Sequence, residues 1–194
     1  MPHSPKHKQE TRERIVNSAR RLFNRKGFNE VTIDEIMKHA GLTRGGFYKH
    51  FGSKDELLAE AIAKAFEEVE DRFDAAVSKA KPGTELLKSL IENYLSLEHC
   101  ANPGEGCPMA AMASEIGRFP KAARAEIEKA MRRRVKRAAR LLPGKTERER
   151  ERNCIALMSG LVGTLNVARA LSDPAARKAV LDASRDFYIK SFCN

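Results

Sequence analysis

The chain has 194 residues and carries 36 Lys+Arg against 26 Asp+Glu, a formal charge of +10, with 6% aromatics and no Trp. That length suits one domain or two small ones and can bury a core without cross-links. With a mean hydropathy of −0.50 and no apolar run near about 18 residues, the sequence predicts no transmembrane helix. MPHSPKHKQE lacks the apolar stretch of a secretory signal, and four cysteines are too few for a disulfide scaffold. The expected setting is a reducing cytoplasm, and the surplus of positive charge points to a polyanionic partner.

The charge is uneven. Residues 1–54 hold 12 Lys/Arg and 5 Asp/Glu, a balance of +7, and four of the five histidines. The rest of the chain carries only +3. This predicts a nucleic-acid-binding domain over 1–54 followed by a more neutral domain over 55–194. A second basic run, Arg132, Arg133, Arg134, Lys136, Arg137 and Arg140, is interleaved with Ile127, Met131, Val135, Ala138, Ala139 and Leu142. Spacings of three and four describe an amphipathic helix with a solvated arginine face, not a second binding patch.

Helical periodicity dominates from end to end, predicting an all-α chain of about nine helices without strands. The first helix is expected over Thr11–Lys26, with Ile15, Val16, Ala19, Leu22 and Phe23 inward and Gly27 as C-terminal cap. Thr32 and Glu35 form a capping box that opens a second helix, ending before Gly41. Thr43 caps a short third helix through His50. Ser53 and Glu56 form another box, opening a long helix from Lys54 to about Lys79. Pro82-Gly83 breaks the pattern, and a helix from Thr84 or Glu85 is expected to carry an apolar stripe as far as Leu97. Residues 101–106 read as a loop, Pro108 as the first residue of a short helix to about Gly117, and Pro120 as the start of the arginine-rich helix. Thr146 and Glu149 cap a long helix to about Leu171, with Cys154, Ile155, Met158, Leu161, Val162, Leu165 and Ala168 inward. Asp173-Pro174 opens the last helix, whose inward stripe is Val180, Leu181, Ser184, Phe187, Tyr188 and Phe192.

The most informative stretch is VTIDEIMKHAGLTRGGFYKHF, residues 31–51. Two short helices meet at Gly41-Leu42-Thr43, where a tight turn needs the positive φ that glycine adopts freely. This is a helix-turn-helix, with 44–50 as the recognition helix. Thr43 and Arg44 stand at its leading end, and an arginine there can pair bidentately with guanine. Gly45 and Gly46 are poor helix formers, which suits a backbone that must approach bases closely. Tyr48, Lys49 and His50 offer phosphate and base-edge contacts, and Lys54 a phosphate contact at a helix N-terminus.

These residues resemble the TetR family of bacterial transcriptional regulators over about residues 11–58. The likeness rests on A-x-x-L-F-x-x-K-G-F from Ala19, V-T-I-x-E-I from Val31, A-G-L-T-R-G-x-F-Y-x-H-F from Ala40, and S-K-x-E-L-L from Ser53. Gly46 departs mildly from the small residue many members carry there. The resemblance implies a three-helix DNA-binding head on a divergent helical body, and a homodimer built on the last two helices. It assigns DNA contact to Thr32, Arg44, Gly45, Tyr48, Lys49, His50 and Lys54. It further implies a palindromic double-stranded operator, a repressor released by a small-molecule effector, and no cofactor or membrane partner. Effector-pocket candidates are Phe66, Phe73, Tyr94, Met109, Met112, Ile116, Phe119 and Met158, each of which also suits ordinary core.

Cys107 stands between Gly106 and Pro108, as the expected N-cap of a short helix, where unpaired N–H groups favour a thiolate. EGCPMAAMASEI also resembles a branch of the same family that includes an N-ethylmaleimide-responsive repressor, which implies a redox or electrophile switch at Cys107 with Cys100 or a partner-chain cysteine resolving it. An inert buried thiol is the reading the residues favour over the switch. An all-α thiol-dependent enzyme using Cys107 is the alternative of another class, but no His, Asp or Asn stands at a spacing that would activate the thiol. His99, Cys100 and Cys107 match no strong zinc spacing, so no metal is expected.

Overall fold

A computed structural model of the chain describes residues 5–79 and 83–193. The described residues contain nine α-helices and four short 3₁₀ segments, with no strand. The helices are α1 Pro5–Lys26, α2 Ile33–His39, α3 Lys54–Lys79, α4 Thr84–Tyr94, α5 Leu97–Ala101, α6 Pro108–Ala111, α7 Lys121–Ala138, α8 Glu147–Ala170 and α9 Pro174–Phe192. None of them is long and apolar enough to cross a membrane. The chain divides into two compact units, residues 1–68 with 104–128, and 69–103 with 129–194. The unit holding the helix-turn-helix thus also takes in 55–68 and the distant segment 104–128.

In the first unit, Ile15, Ala19 and Phe23 of α1, Ile36 and Met37 of α2, Phe47 and Phe51, and Leu57, Leu58 and Ile62 of α3 are all buried. α1 packs on α2, and α2 on the 3₁₀ element Arg44–Lys49. Arg20 of α1 is also buried, paired with Glu68 at 3.3 Å and Glu105 at 3.2 Å. A guanidinium removed from water is tolerated because two carboxylates meet it.

In the second unit, α8 and α9 pack along each other, and α4 and α5 complete the bundle. Thr146 and Glu149 form the expected reciprocal box at the start of α8, and Asp173 caps α9 through the N–H groups of Ala175 and Ala176. The α4 stripe does not continue to Leu97. α4 stops at Tyr94, Ser96 caps α5, and Leu97 is exposed. The expected loop 101–106 is partly ordered, with a 3₁₀ turn at Pro103–Glu105. The expected break at Pro82 lies outside the described residues; Gly83 beside it has φ +146°.

The arginine run is not a wholly solvated face. Arg134 reaches buried Glu70 at 2.8 Å and lies 4.6 Å above the Phe73 ring, and Arg137 pairs with Glu70 and Asp74. Periodicity alone missed this because the long stems of α7 arginines reach acidic partners on α3. On the last two helices, Ile155 and Phe187 were expected inward but are 48% and 64% exposed, and Val167 joins them at 53%.

Candidate nucleic-acid interface

The capping box at α2 forms as read from the sequence. Thr32 Oγ1 accepts from the Glu35 N–H at 3.2 Å, and Glu35 Oε2 accepts from the Thr32 N–H at 2.9 Å. The Thr32 N–H and then Lys26 hold the Glu35 carboxyl down at about 2. At the other end of α2, the Ala40 carbonyl accepts from Arg14 Nη2 at 2.6 Å, and Gly41 turns the chain at φ +68°. A Cβ on Gly41 would meet only the flexible end of Arg14, at 3.2 Å from Nη2, so it is the positive φ of the turn that selects glycine.

The short helix expected after Thr43 is a 3₁₀ helix over Arg44–Lys49, with His50 as its C-cap. Two adjacent glycines are the physical reason, since they weaken α-helical propensity where six residues must close against α2. Phe47 is fully buried and anchors the element, stacking with Phe51 at 5.7 Å. Its neighbours face outward. Thr43, Arg44, Gly45 and Lys49 are exposed, and Tyr48 is 64% exposed. Arg44 shares one 3.1 Å bond with exposed Asp34. Thr43 is the N-cap residue but makes no side-chain capping bond. A Cβ built on Gly45 would meet nothing within 4 Å, so no packing within the chain requires glycine there.

His50 is half-buried at the end of this element, and its carbonyl accepts from Arg12. Burial, then Lys8, Arg12 and Lys49, push its imidazole below the usual histidine range. Arg12 also pairs with Glu60 and lies 4.1 Å above the Phe51 ring. Sequence reading missed Arg12 and Lys8. The ten residues of α1 before Ile15 are polar apart from Pro5, so apolar periodicity carries no signal for them, although K-H-K is visible as charge.

Lys54 is engaged inside the unit. Its Nζ donates to the Phe28 carbonyl at 2.6 Å and lies 4.2 Å above the Phe28 ring. Glu56 caps α3 in a shifted version of the expected box. Its N–H donates to Ser53 Oγ, while its carboxylate accepts from the Gly52 N–H.

The effector-pocket candidates fall in both units, several with packing roles. In the first unit Met112 is buried, Phe119 is buried and stacks on Phe28 at 5.8 Å, and Phe66, Met109 and Ile116 are half-buried. In the second unit Phe73 is covered by Arg134, Tyr94 meets His99 edge-on at 4.7 Å, and Met158 Sδ accepts from Cys154 Sγ at 3.7 Å. Cys107 occupies the N-cap of α6, half-buried, with Pro108 following as expected. Cys100 is buried on α5. Among the described residues no group of three or more His, Cys, Asp or Glu is arranged to hold a metal ion.

A family profile described as bacterial regulatory proteins, tetR family, matches residues 15–61. An uncharacterised HTH-type transcriptional regulator of Mycobacterium tuberculosis is 36% identical over 110 residues, covering 56% of this chain and 55% of that protein. The transposon Tn10 TetC protein of Escherichia coli is 36% identical over 93 residues, covering 48% and 47%. The chain therefore matches about half the length of these curated relatives. Among solved structures, the reduced form of NemR from E. coli superposes with a TM-score of 0.79 at 15% identity, covering 94% of this chain and 97% of that one. A TetR transcriptional regulator from Chloroflexus aurantiacus superposes with a TM-score of 0.77 at 23% identity, covering 96% and 98%. These likenesses extend the shared fold beyond the matched N-terminal segment.

Proposed function

We infer that this chain, a member of the TetR family of bacterial regulatory proteins, is a sequence-specific DNA-binding transcriptional regulator. One observation carries the reading. A 3₁₀ element anchored by buried Phe47 presents Thr43, Arg44, Gly45, Tyr48 and Lys49 outward together. Arg44 reads a guanine edge in the major groove, the Gly45 backbone lies close to the duplex, and Tyr48, Lys49 and His50 take phosphates and base edges. Thr32 stands exposed at the positive end of α2 and approaches a phosphate from there. Lys54 contributes through the Phe28 turn it holds, and a direct phosphate contact would require it to leave that carbonyl.

The chain acts as a homodimer whose recognition elements enter successive major grooves, about 34–36 Å apart, on a palindromic operator. Exposed Ile155, Val167 and Phe187 on α8 and α9 support the last two helices as the joining surface. A small-molecule effector favours a second dimer geometry and releases the operator. The chain itself catalyses no reaction. The test is binding to the palindrome upstream of its own reading frame against random DNA at physiological salt. Preference for the palindrome supports the regulator, and equal affinity defeats it.

A second reading makes Cys107 a redox or electrophile switch, favoured by its place at the N-cap of α6. Affinity for the palindrome before and after treatment with N-ethylmaleimide, in the native chain and in Cys107→Ser, decides. Loss of binding that requires Cys107 supports the switch, and unchanged binding argues for an inert thiol.

A further inference from the structure

The turn between α1 and α2 is held by a residue far away in sequence. The Phe28 N–H donates to Glu115 Oε2 at 2.7 Å, and the Asn29 N–H donates to Glu115 Oε1 at 3.1 Å. One carboxylate thus satisfies two successive backbone donors. On the opposite side of the same residue, the Phe28 carbonyl accepts from Lys54 Nζ at 2.6 Å. The Phe28 ring stacks edge-on against Phe23 at 5.4 Å and Phe119 at 5.8 Å. Phe28 is therefore fixed through its N–H, its carbonyl and its ring. Gly27 turns at φ +86°, and a Cβ there would lie 2.7 Å from Glu115 Oε2, so the glycine leaves room for the carboxylate.

The segment that carries Glu115 is itself fastened to α1. Arg20 Nη1 donates to the Gly104 carbonyl at 3.3 Å and Arg20 Nη2 to Glu105 at 3.2 Å, while Asn24 Nδ2 donates to the Gly106 carbonyl at 3.4 Å. Three residues separate the clamped turn from Ile33, the first residue of α2, and α2 carries the recognition element on its buried face. The orientation of that element depends on where α2 starts.

We propose that Glu115 is a positioning residue for DNA recognition, and that segment 104–119 is a working part of the DNA-reading unit. The proposal rests on the DNA-binding reading above. Glu115 touches no base. It holds the turn from which α2 sets out, with Lys54 as the opposing grip, and so fixes the angle at which Arg44 and Tyr48 are presented. Specific contacts need that angle, whereas non-specific phosphate attraction tolerates its loss.

The test uses the full chain with Glu115→Gln and Glu115→Ala. Amide hydrogen exchange at Phe28 and Asn29, measured without DNA, reads the clamp. Affinity for the upstream palindrome and for random DNA reads its consequence. Losing a charged acceptor shared by two N–H groups is expected to speed exchange at both amides about tenfold or more. Affinity for the palindrome should fall about tenfold, with random-DNA affinity and its salt dependence unchanged. Glu115→Gln keeps the side-chain size and one acceptor oxygen, so it falls between the native chain and Glu115→Ala, and it carries the test if Glu115→Ala does not fold. Faster exchange with an unchanged ratio of palindrome to random affinity would overturn the positioning role. Unchanged exchange would show that the clamp does not form. A native chain that fails to prefer the palindrome would defeat the DNA-binding reading instead, and exchange would still report the clamp by itself.

Discussion

Replacing Arg44 by alanine separates base reading from mere attraction to DNA. The Arg44 side chain is 68% exposed and, among the described residues, its one ion pair is a 3.1 Å bond to Asp34, itself 57% exposed. Such a surface pair is worth about 0.2–1 kcal/mol, so folding stability should change by less than about 0.5–1 kcal/mol. A bidentate contact to guanine is worth about 1–3 kcal/mol of discrimination. The dimer makes this contact once in each half-site, so at 1.4 kcal/mol per tenfold the affinity of Arg44→Ala for the operator should fall about 5- to 150-fold per half-site, and by roughly the square of that for the dimer. Arg44→Lys should not restore it, because an ammonium cannot make the two parallel bonds of a guanidinium. Asp34→Asn should leave the specific affinity intact or raise it, since it releases Arg44 and removes a negative charge beside the duplex. Fluorescence anisotropy on operator and random duplexes, with thermal melts alongside, gives every quantity. Equal loss on both duplexes would make Arg44 a phosphate contact, and no loss on either would refute the recognition element.

Gly45→Ala should raise the melting temperature slightly, because a Cβ there meets no atom and alanine restricts the unfolded chain, yet it should weaken operator binding. A gain or no change in operator affinity would remove Gly45 from the interface. The Glu35 carboxyl should titrate near pH 2 by NMR, well below its ordinary 4.5. Because the folded value is depressed, this cap stabilises α2 fully above about pH 4.5, and its contribution is lost as the pH falls from there through about 2. Thr32→Val, which removes the side-chain part of the box, should move that midpoint upward. Phe187→Asp should yield monomers by analytical ultracentrifugation and weaken operator binding, because it puts a charge on the exposed apolar face of α9; an unchanged sedimentation coefficient would place the dimer contact elsewhere.

The parts of this fold written locally were legible in the sequence. Thr32 with Glu35 and Thr146 with Glu149 are side-chain-to-backbone patterns closed within four residues, and Gly41 marks a turn only glycine makes cheaply. What escaped was set by distant partners. Lys54 looked like a phosphate ligand until the Phe28 carbonyl met it, and Arg134 looked solvated until Glu70 and Phe73 did. Nothing near Glu115 in the sequence marks it, because its partners are two backbone amides more than eighty residues earlier. Ile155 and Phe187 fit the helical period, but a period cannot tell a face buried within one chain from a face left open.

The central claim is that the chain reads DNA sequence, and the most direct test is the native protein's affinity for its upstream palindrome against random duplex of equal length across a salt series. Typical specific binding exceeds non-specific by at least about 10³. The account predicts a preference of that order, held at physiological salt and carried by a dimer. Affinities that coincide at every salt concentration would contradict it.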